Sequence, residues 1–147
     1  MAILDKKIQD KIDELSNLSY QLYESHDKEK SYKLMEEAWN LYPEPRENWN
    51  ESYNTARYAL DDLLKDAEIE KALIWYERMC KIHENLKLWE GSFEFYSGKY
   101  FFESKNYTKA YEFFKKAVAI RGNLDYFNDE NTKYLAFYQN PEKLLKK

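Results

Sequence analysis

The amino-acid sequence predicts an all-α chain, a short α-solenoid of about three helical hairpins closed by a C-terminal capping helix. Three observations carry that expectation. Gly and Pro occur only three times each in 147 residues, whereas strand-rich folds consume turn residues and phosphate-binding loops need backbone that a ligand can approach closely. Apolar and small residues recur at helical spacing on either side of short polar breaks. The stretch WNESY, which opens at Trp49, returns forty residues later as WEGSF at Trp89, as it would in a chain of repeated structural units. The length suits a single domain, residues 1–147, able to bury roughly 68 to 70% of the surface of its unfolded chain.

The first unit is expected at about 11–45, where Leu15, Leu18, Ser19 and Leu22 precede a polar turn and Ser31, Met35 and Ala38 follow it. The second, at about 53–86, carries Ala56, Ala59, Leu60 and Leu63, then Ile69, Ala72, Tyr76 and Met79. The third, at about 91–122, is the clearest. A helix from about Gly91 to Glu103 and another from about Tyr107 to Ile120 flank the break Ser104–Asn106. Gly98, Ala110 and Ala117 would let the two backbones approach, with Phe101, Phe114 and Ile120 filling the seam. The repeated tryptophans fall in the linkers Arg46–Ser52 and Lys87–Glu90, where an apolar residue ahead of a helix can staple its entry, and Asn48 with Glu51 has the spacing of a capping box. Counting from the tryptophans gives a repeat of forty residues and from the inner helices thirty-eight, so unit two is expected to hold two extra residues between Trp49 and Ala72. Beyond Gly122, Asn128 or Asp129 can cap a last helix at about 128–147 bearing Tyr134, Leu135, Phe137 and Tyr138, which would cover the exposed apolar face of the final unit.

This pattern resembles the tetratricopeptide repeat, a 34-residue helix-turn-helix unit. Gly98, Phe101, Tyr107, Ala110, Phe114 and Ala117 stand at its positions 8, 11, 17, 20, 24 and 27, and the first unit matches from Leu15 at position 4 to Pro43 at position 32. Glu94, Ser97, Lys28 and Leu60 depart from it. In proteins of this kind the first helices line a concave groove. Carried over residue by residue, the resemblance implies a partner-binding surface made of Asn17, Tyr20 and Tyr23, of Asn54, Arg57, Tyr58 and Asp61, and of Phe95, Tyr96, Lys99 and Phe102. The places where one branch of the family grips a C-terminal carboxylate hold Ser16, Tyr20, Tyr58, Ser92 and Tyr96, so that clamp is missing. The stretches LYPEPRENW and DYFNDENTKYLAFY look like those of small bacterial repeat proteins encoded beside polymorphic toxins, whose presumed role is immunity.

The remaining features exclude function classes. A net charge of -4 opposes sequence-independent attraction to nucleic acid. One cysteine, Cys80, suits a reducing, cytoplasmic compartment, and the opening MAILDKKIQDKIDEL holds no apolar run for a signal peptide or membrane span. No P-loop, GxGxxG, GxSxG, HExxH or CxxC occurs. Cys80 and His83 share a helical face, the minimum for a thiolate–imidazole pair, against the simpler reading of a buried thiol beside a surface imidazole. The acidic pairs Glu36–Glu37, Asp61–Asp62 and Asp129–Glu130 read as solvated faces. No metal and no cofactor are expected. The leading expectation is a non-enzymatic module that binds another protein, most sharply a toxin domain that it neutralises. The alternatives are a scaffold or regulator that captures a peptide in its groove, and, last, a small helical enzyme using Cys80 and His83. The partner, its binding face and the oligomeric state stay open.

Overall fold

A computed structural model describes residues 3–87 and 91–145, so Trp89 lies outside the described residues. Helices are the regular structure of those residues, with no strand among them. They form α1 (Lys6–Glu24), α2 (Lys28–Leu41), α3 (Asn50–Lys65), α4 (Ile69–Leu86), α5 (Ser92–Glu103), α6 (Tyr107–Arg121), α7 (Thr132–Gln139) and the single turn α8 (Glu142–Leu145). Each odd-numbered helix from α1 to α5 packs chiefly on the even-numbered helix that follows it, and neighbouring pairs then pack side by side.

The three hairpins turn in the same way. After α1, the amide of His26 donates to the Tyr23 carbonyl and that of Asp27 to Leu22. The same two bonds recur from Ala67 to Leu64 and Glu68 to Leu63, and from Lys105 to Phe102 and Asn106 to Phe101. This paired closure satisfies helix-end carbonyls and requires a left-handed residue at the bend. His26, Ala67 and Lys105 supply it at φ 68°, 57° and 66°.

Small residues set the distance between paired helices. Ser19 and Ser31 are buried where α1 crosses α2, and each hydroxyl donates to the other's carbonyl at 2.8 and 2.7 Å. Ala72, Ala110 and Ala117 are fully enclosed. Gly98 lies so close to α6 that a Cβ there would stand 2.5 Å from the Phe114 ring. Several expectations for these seams need correction. Leu18 and Ile120 are 45% and 43% exposed; the first pair buries Ile12, and in the third Phe114 fills the seam as expected but Ile120 does not. α1 begins at Lys6, capped by Asp5, whose carboxylate accepts the Lys7 amide at 2.9 Å.

Between hairpins the ties are mostly aromatic and polar. Arg78 makes two bonds to the Glu36 carboxylate at 2.9 and 3.1 Å and lies over the rings of Trp39 and Trp75. Tyr42 shares a hydrogen bond with Thr55, Tyr53 shares one with Ser92, and Tyr76 donates to Ser97 while stacking on Tyr100. The Trp49 indole donates to the Pro43 carbonyl at 2.7 Å, which fixes the entry to α3. The expected capping box does not form: Trp49 itself stands at the N-cap, and Asn48 accepts instead from the Asn85 amide. The extra length of unit two lies in α3, which has sixteen residues against twelve in α5.

Candidate functional site

The eleven residues of the expected groove divide sharply. Asn17, Tyr20, Asn54 and Tyr58 are exposed on α1 and α3, and Tyr23, Arg57, Asp61 and Tyr96 are half-buried beside them. The other α5 members, Phe95, Lys99 and Phe102, are turned to internal packing. Phe95 is 1% exposed, stacked on Tyr126 and edge-on to Phe127. Phe102 meets Tyr134 and Phe137 of α7 edge to face. Lys99, 3% exposed, pairs with Asp61 and lies within 4.8 to 5.7 Å of the ring centres of Tyr96, Tyr134 and Phe95. The cause is the return of the chain. A last hairpin cannot leave its apolar face in water, so residues 126–137 fold back over α5 and α6 and occupy the groove at that end. Phe95 and Lys99 are therefore not open to a partner.

The groove stays open between α1 and α3, which do not pack on each other as α3 and α5 do. Two adjoining cavities, of about 400 and 460 Å³, lie there and share Ser16, Asn17 and Tyr58 as walls. Carboxylates line both. Asp13 and Glu51 stand in the first, and Asp61, Asp62 and Glu130 in the second, where Lys65 is the cation on the wall. Lys65 lies 3.6 Å from Asp61 on the same helix face. Arg57 is parked over the rings of Tyr58 and Tyr96. In the first cavity Gln9 Oε1 and Glu51 Oε2 are buried acceptors without a hydrogen-bond donor. In the second, burial raises the Asp62 carboxyl to about 6; Lys65 opposes the shift and the neighbouring Asp61 and Asp66 add to it.

Of these carboxylates, sequence reasoning placed only Asp61 in the groove and missed Asp13, Glu51, Asp62 and Glu130. The Asp61–Asp62 pair is no solvated face: both residues are half-buried in the groove wall. The signal was nonetheless present, since Asp13 stands one helical turn before Asn17 and Glu51 one before Asn54 and Thr55, all on the groove side.

One turn beyond Asp62, Asp66 ties hairpin one to hairpin two. Its carboxylate accepts from Lys28 at 2.5 Å, from Tyr32, and from Tyr23 at 3.4 Å. Burial alone would raise this carboxyl, but the bonds from Lys28 and Tyr32 outweigh it and hold it below the ordinary value. The same contact drives the phenols the other way, Tyr23 to about 12 and Tyr32 further, with burial the larger cause in each.

Cys80 and His83 do not form an activated pair. Burial pushes the thiol up and the imidazole down, whereas a nucleophilic cysteine needs a thiolate stabilised by a cationic neighbour. The imidazole stacks on Phe93 with ring centres 4.0 Å apart. Among the described residues no group of three or more His, Cys, Asp or Glu side chains could hold a metal ion, and no helix is long and apolar enough to cross a membrane. No protein-family model matches the chain, and no curated protein or solved structure does either.

Proposed function

We propose that the chain is a non-enzymatic, tetratricopeptide-like repeat protein that acts by binding another protein. The observation that carries this reading is the open first-helix face of hairpins one and two, where Tyr20 and Tyr58 stand 64% and 59% exposed above a groove with two cavities. Exposed aromatics over a concave groove suit protein recognition, because tyrosine offers large contact area at low conformational cost. The shared turn geometry and the small residues at matching places in each hairpin support the solenoid reading.

For the partner we propose a toxin domain that the protein neutralises, supported by the net charge of -4, which suits a basic domain such as a nuclease. The stretches that suggested immunity are themselves architectural. Tyr42 and Trp49 of the first are spent on hydrogen bonds within the fold, and Phe127, Tyr134 and Phe137 of the second on closing the stack. A second reading, capture of an extended segment by a scaffold or regulator, is favoured by the groove left open between α1 and α3.

Affinity purification from the native cell, followed by titration of the recovered protein against wild type and Tyr20→Ala/Tyr58→Ala, tests the proposal. The expected result is a partner whose affinity falls at least tenfold in the double variant. Recovery of no partner, or equal affinity for both forms, overturns it.

A further inference from the structure

We infer that the groove between α1 and α3 is a receptor for paired cationic side chains, and that its occupant is an extended segment of a partner protein bearing two Arg or Lys residues four to six positions apart. This rests on the protein-binding reading above and adds the chemistry of what is bound and the residues that hold it.

Three features of the groove converge on that occupant. The first is charge: of the five carboxylates that line the two cavities, Asp61 is paired with Lys99 and Lys65, which leaves Asp13, Glu51, Asp62 and Glu130 without a salt bridge among the described residues. Of the other nearby cations, Arg57 lies over the rings of Tyr58 and Tyr96 with its Nε lacking an acceptor. The second is unmet bonding capacity. Glu51 Oε2 and Gln9 Oε1 belong to residues that line the first cavity and have no donor; both atoms are shut away from water, so a bound donor meets them once either side chain turns toward the cavity. A guanidinium supplies donors in a planar fork that fits carboxylate and amide oxygens together. The third is the pair of exposed rings, Tyr20 and Tyr58, which can cover a cation and the methylene stem behind it.

Geometry sets the spacing. Glu51 and Asp62 mark the two carboxylate poles on α3, eleven residues apart in sequence, which at 1.5 Å per residue is about 16 Å along the helix. An extended chain rising about 3.3 Å per residue covers that distance in about five residues. One cationic side chain then reaches Asp13 and Glu51, and a second reaches Asp62 and Glu130. A divalent metal is the wrong guest, because the carboxylates stand at two poles and do not converge on one point.

The test uses the full chain and a fluorescein-labelled Gly/Ser decapeptide with two Arg residues five apart, followed by anisotropy at low and high salt. Comparison peptides carry Glu in place of Arg, or the two Arg adjacent. Spermine, a free polyamine, serves as competitor. Saturable binding of the five-apart peptide is expected. It should weaken at least tenfold with adjacent Arg, tenfold or more in Glu51→Gln/Asp62→Asn, and severalfold in Tyr20→Ala, a substitution at a solvent-exposed ring that leaves the core untouched. Thermal melts establish that each variant is folded; if the acidic double variant is not, Tyr20→Ala and the peptide series decide. No binding, equal binding of the adjacent-Arg peptide, or spermine matching the peptide in affinity overturns the inference. A native partner that binds wild type and Glu51→Gln/Asp62→Asn equally overturns this inference alone and leaves the protein-binding reading standing.

Discussion

Gly98→Ala sets two helix effects against each other, and the structure decides the sign. In an exposed helix the substitution would stabilise by about 1 kcal/mol, since alanine restricts the unfolded backbone. At position 98 the added Cβ would stand 2.5 Å from both Cδ1 and Cε1 of Phe114 and 3.1 Å from its Cγ, whereas carbon atoms pack at about 3.5 to 4.0 Å. Relief therefore requires a shift of about 1 Å. The ring has nowhere to go, because Phe114 is wholly buried and in contact with Phe95, Phe127, Tyr134 and Phe137. Overpacking of this kind costs about 1 to 3 kcal/mol, and the enclosure of the ring places it in the upper half of that range. The expected net loss is about 1 to 2 kcal/mol, a fall in Tm of roughly 2 to 8 °C for a chain of this size. Urea unfolding followed by circular dichroism measures it, with the slope unchanged if both states keep their compactness. Phe114→Leu in the same background should recover about 1 kcal/mol relative to the sum of the single changes. A Gly98→Ala variant as stable as wild type would refute the claim that helix proximity at this seam is limiting.

Two carboxylates one helical turn apart should respond in opposite directions. Asp66→Asn is expected to destabilise by about 1 to 2 kcal/mol at pH 7, a figure kept low because the Lys28 side chain is 40% exposed and water screens the pair. The folded carboxyl of Asp66 lies below its ordinary value, so its contribution is present above the unfolded value of about 3.9 and is lost as pH falls through the folded one; denaturation at stepped pH should show the gap to wild type closing in acid. Asp62→Asn is expected to stabilise by about 1 to 2 kcal/mol at pH 8, below the upper figure of about 3 that a shift of two units allows, because the side chain keeps some water. Its folded carboxyl titrates at about 6, so the protonated form adds stability that is complete below about 3.9 and lost as pH rises through 6, and the advantage of the variant should vanish by about pH 4. Loss of stability on Asp62→Asn at pH 8 would contradict the account of the groove wall as under-compensated.

The helices were legible where local pattern decides them. In the third hairpin the expected boundaries agree with α5 and α6 to within one residue, because Gly98, Ala110 and Ala117 mark the seam and Asn106 marks the cap. The bends were less visible, since the left-handed position is held by His26, Ala67 and Lys105 and not by the glycine that usually announces it. The capping box failed because Ser52 and Trp49 anchor the entry to α3 through the Arg46 and Pro43 carbonyls, bonds that depend on how the linker folds back. The site residues on α5 could not be placed from the repeat pattern at all. Whether Phe95 and Lys99 face a partner or the chain's own return is a non-local question, answered by Tyr126, Phe127 and Tyr134.

The fate of the aromatics changes what kind of partner the groove implies. A chain with fourteen tyrosines and eight phenylalanines invites the expectation of an aromatic groove that recognises its ligand by stacking. The fold spends most of them elsewhere. Tyr42, Tyr53 and Tyr76 join neighbouring hairpins through hydroxyl hydrogen bonds, Tyr23 and Tyr32 hold Asp66, and the rings of residues 95–138 close the last hairpin. Among the tyrosines only Tyr20 and Tyr58 remain exposed. Two rings make a rim, whereas the groove beneath them sets carboxylates among Ile12, Met35, serines and asparagines. On the proposed reading, discrimination in such a groove would come from charge and donor geometry, because a partner lacking cations would bury Glu51 and Asp62 unpaired and lose more than it gained from contact with the rings. A groove that looked aromatic in sequence would then select against neutral segments, and would do so through Glu51 and Asp62.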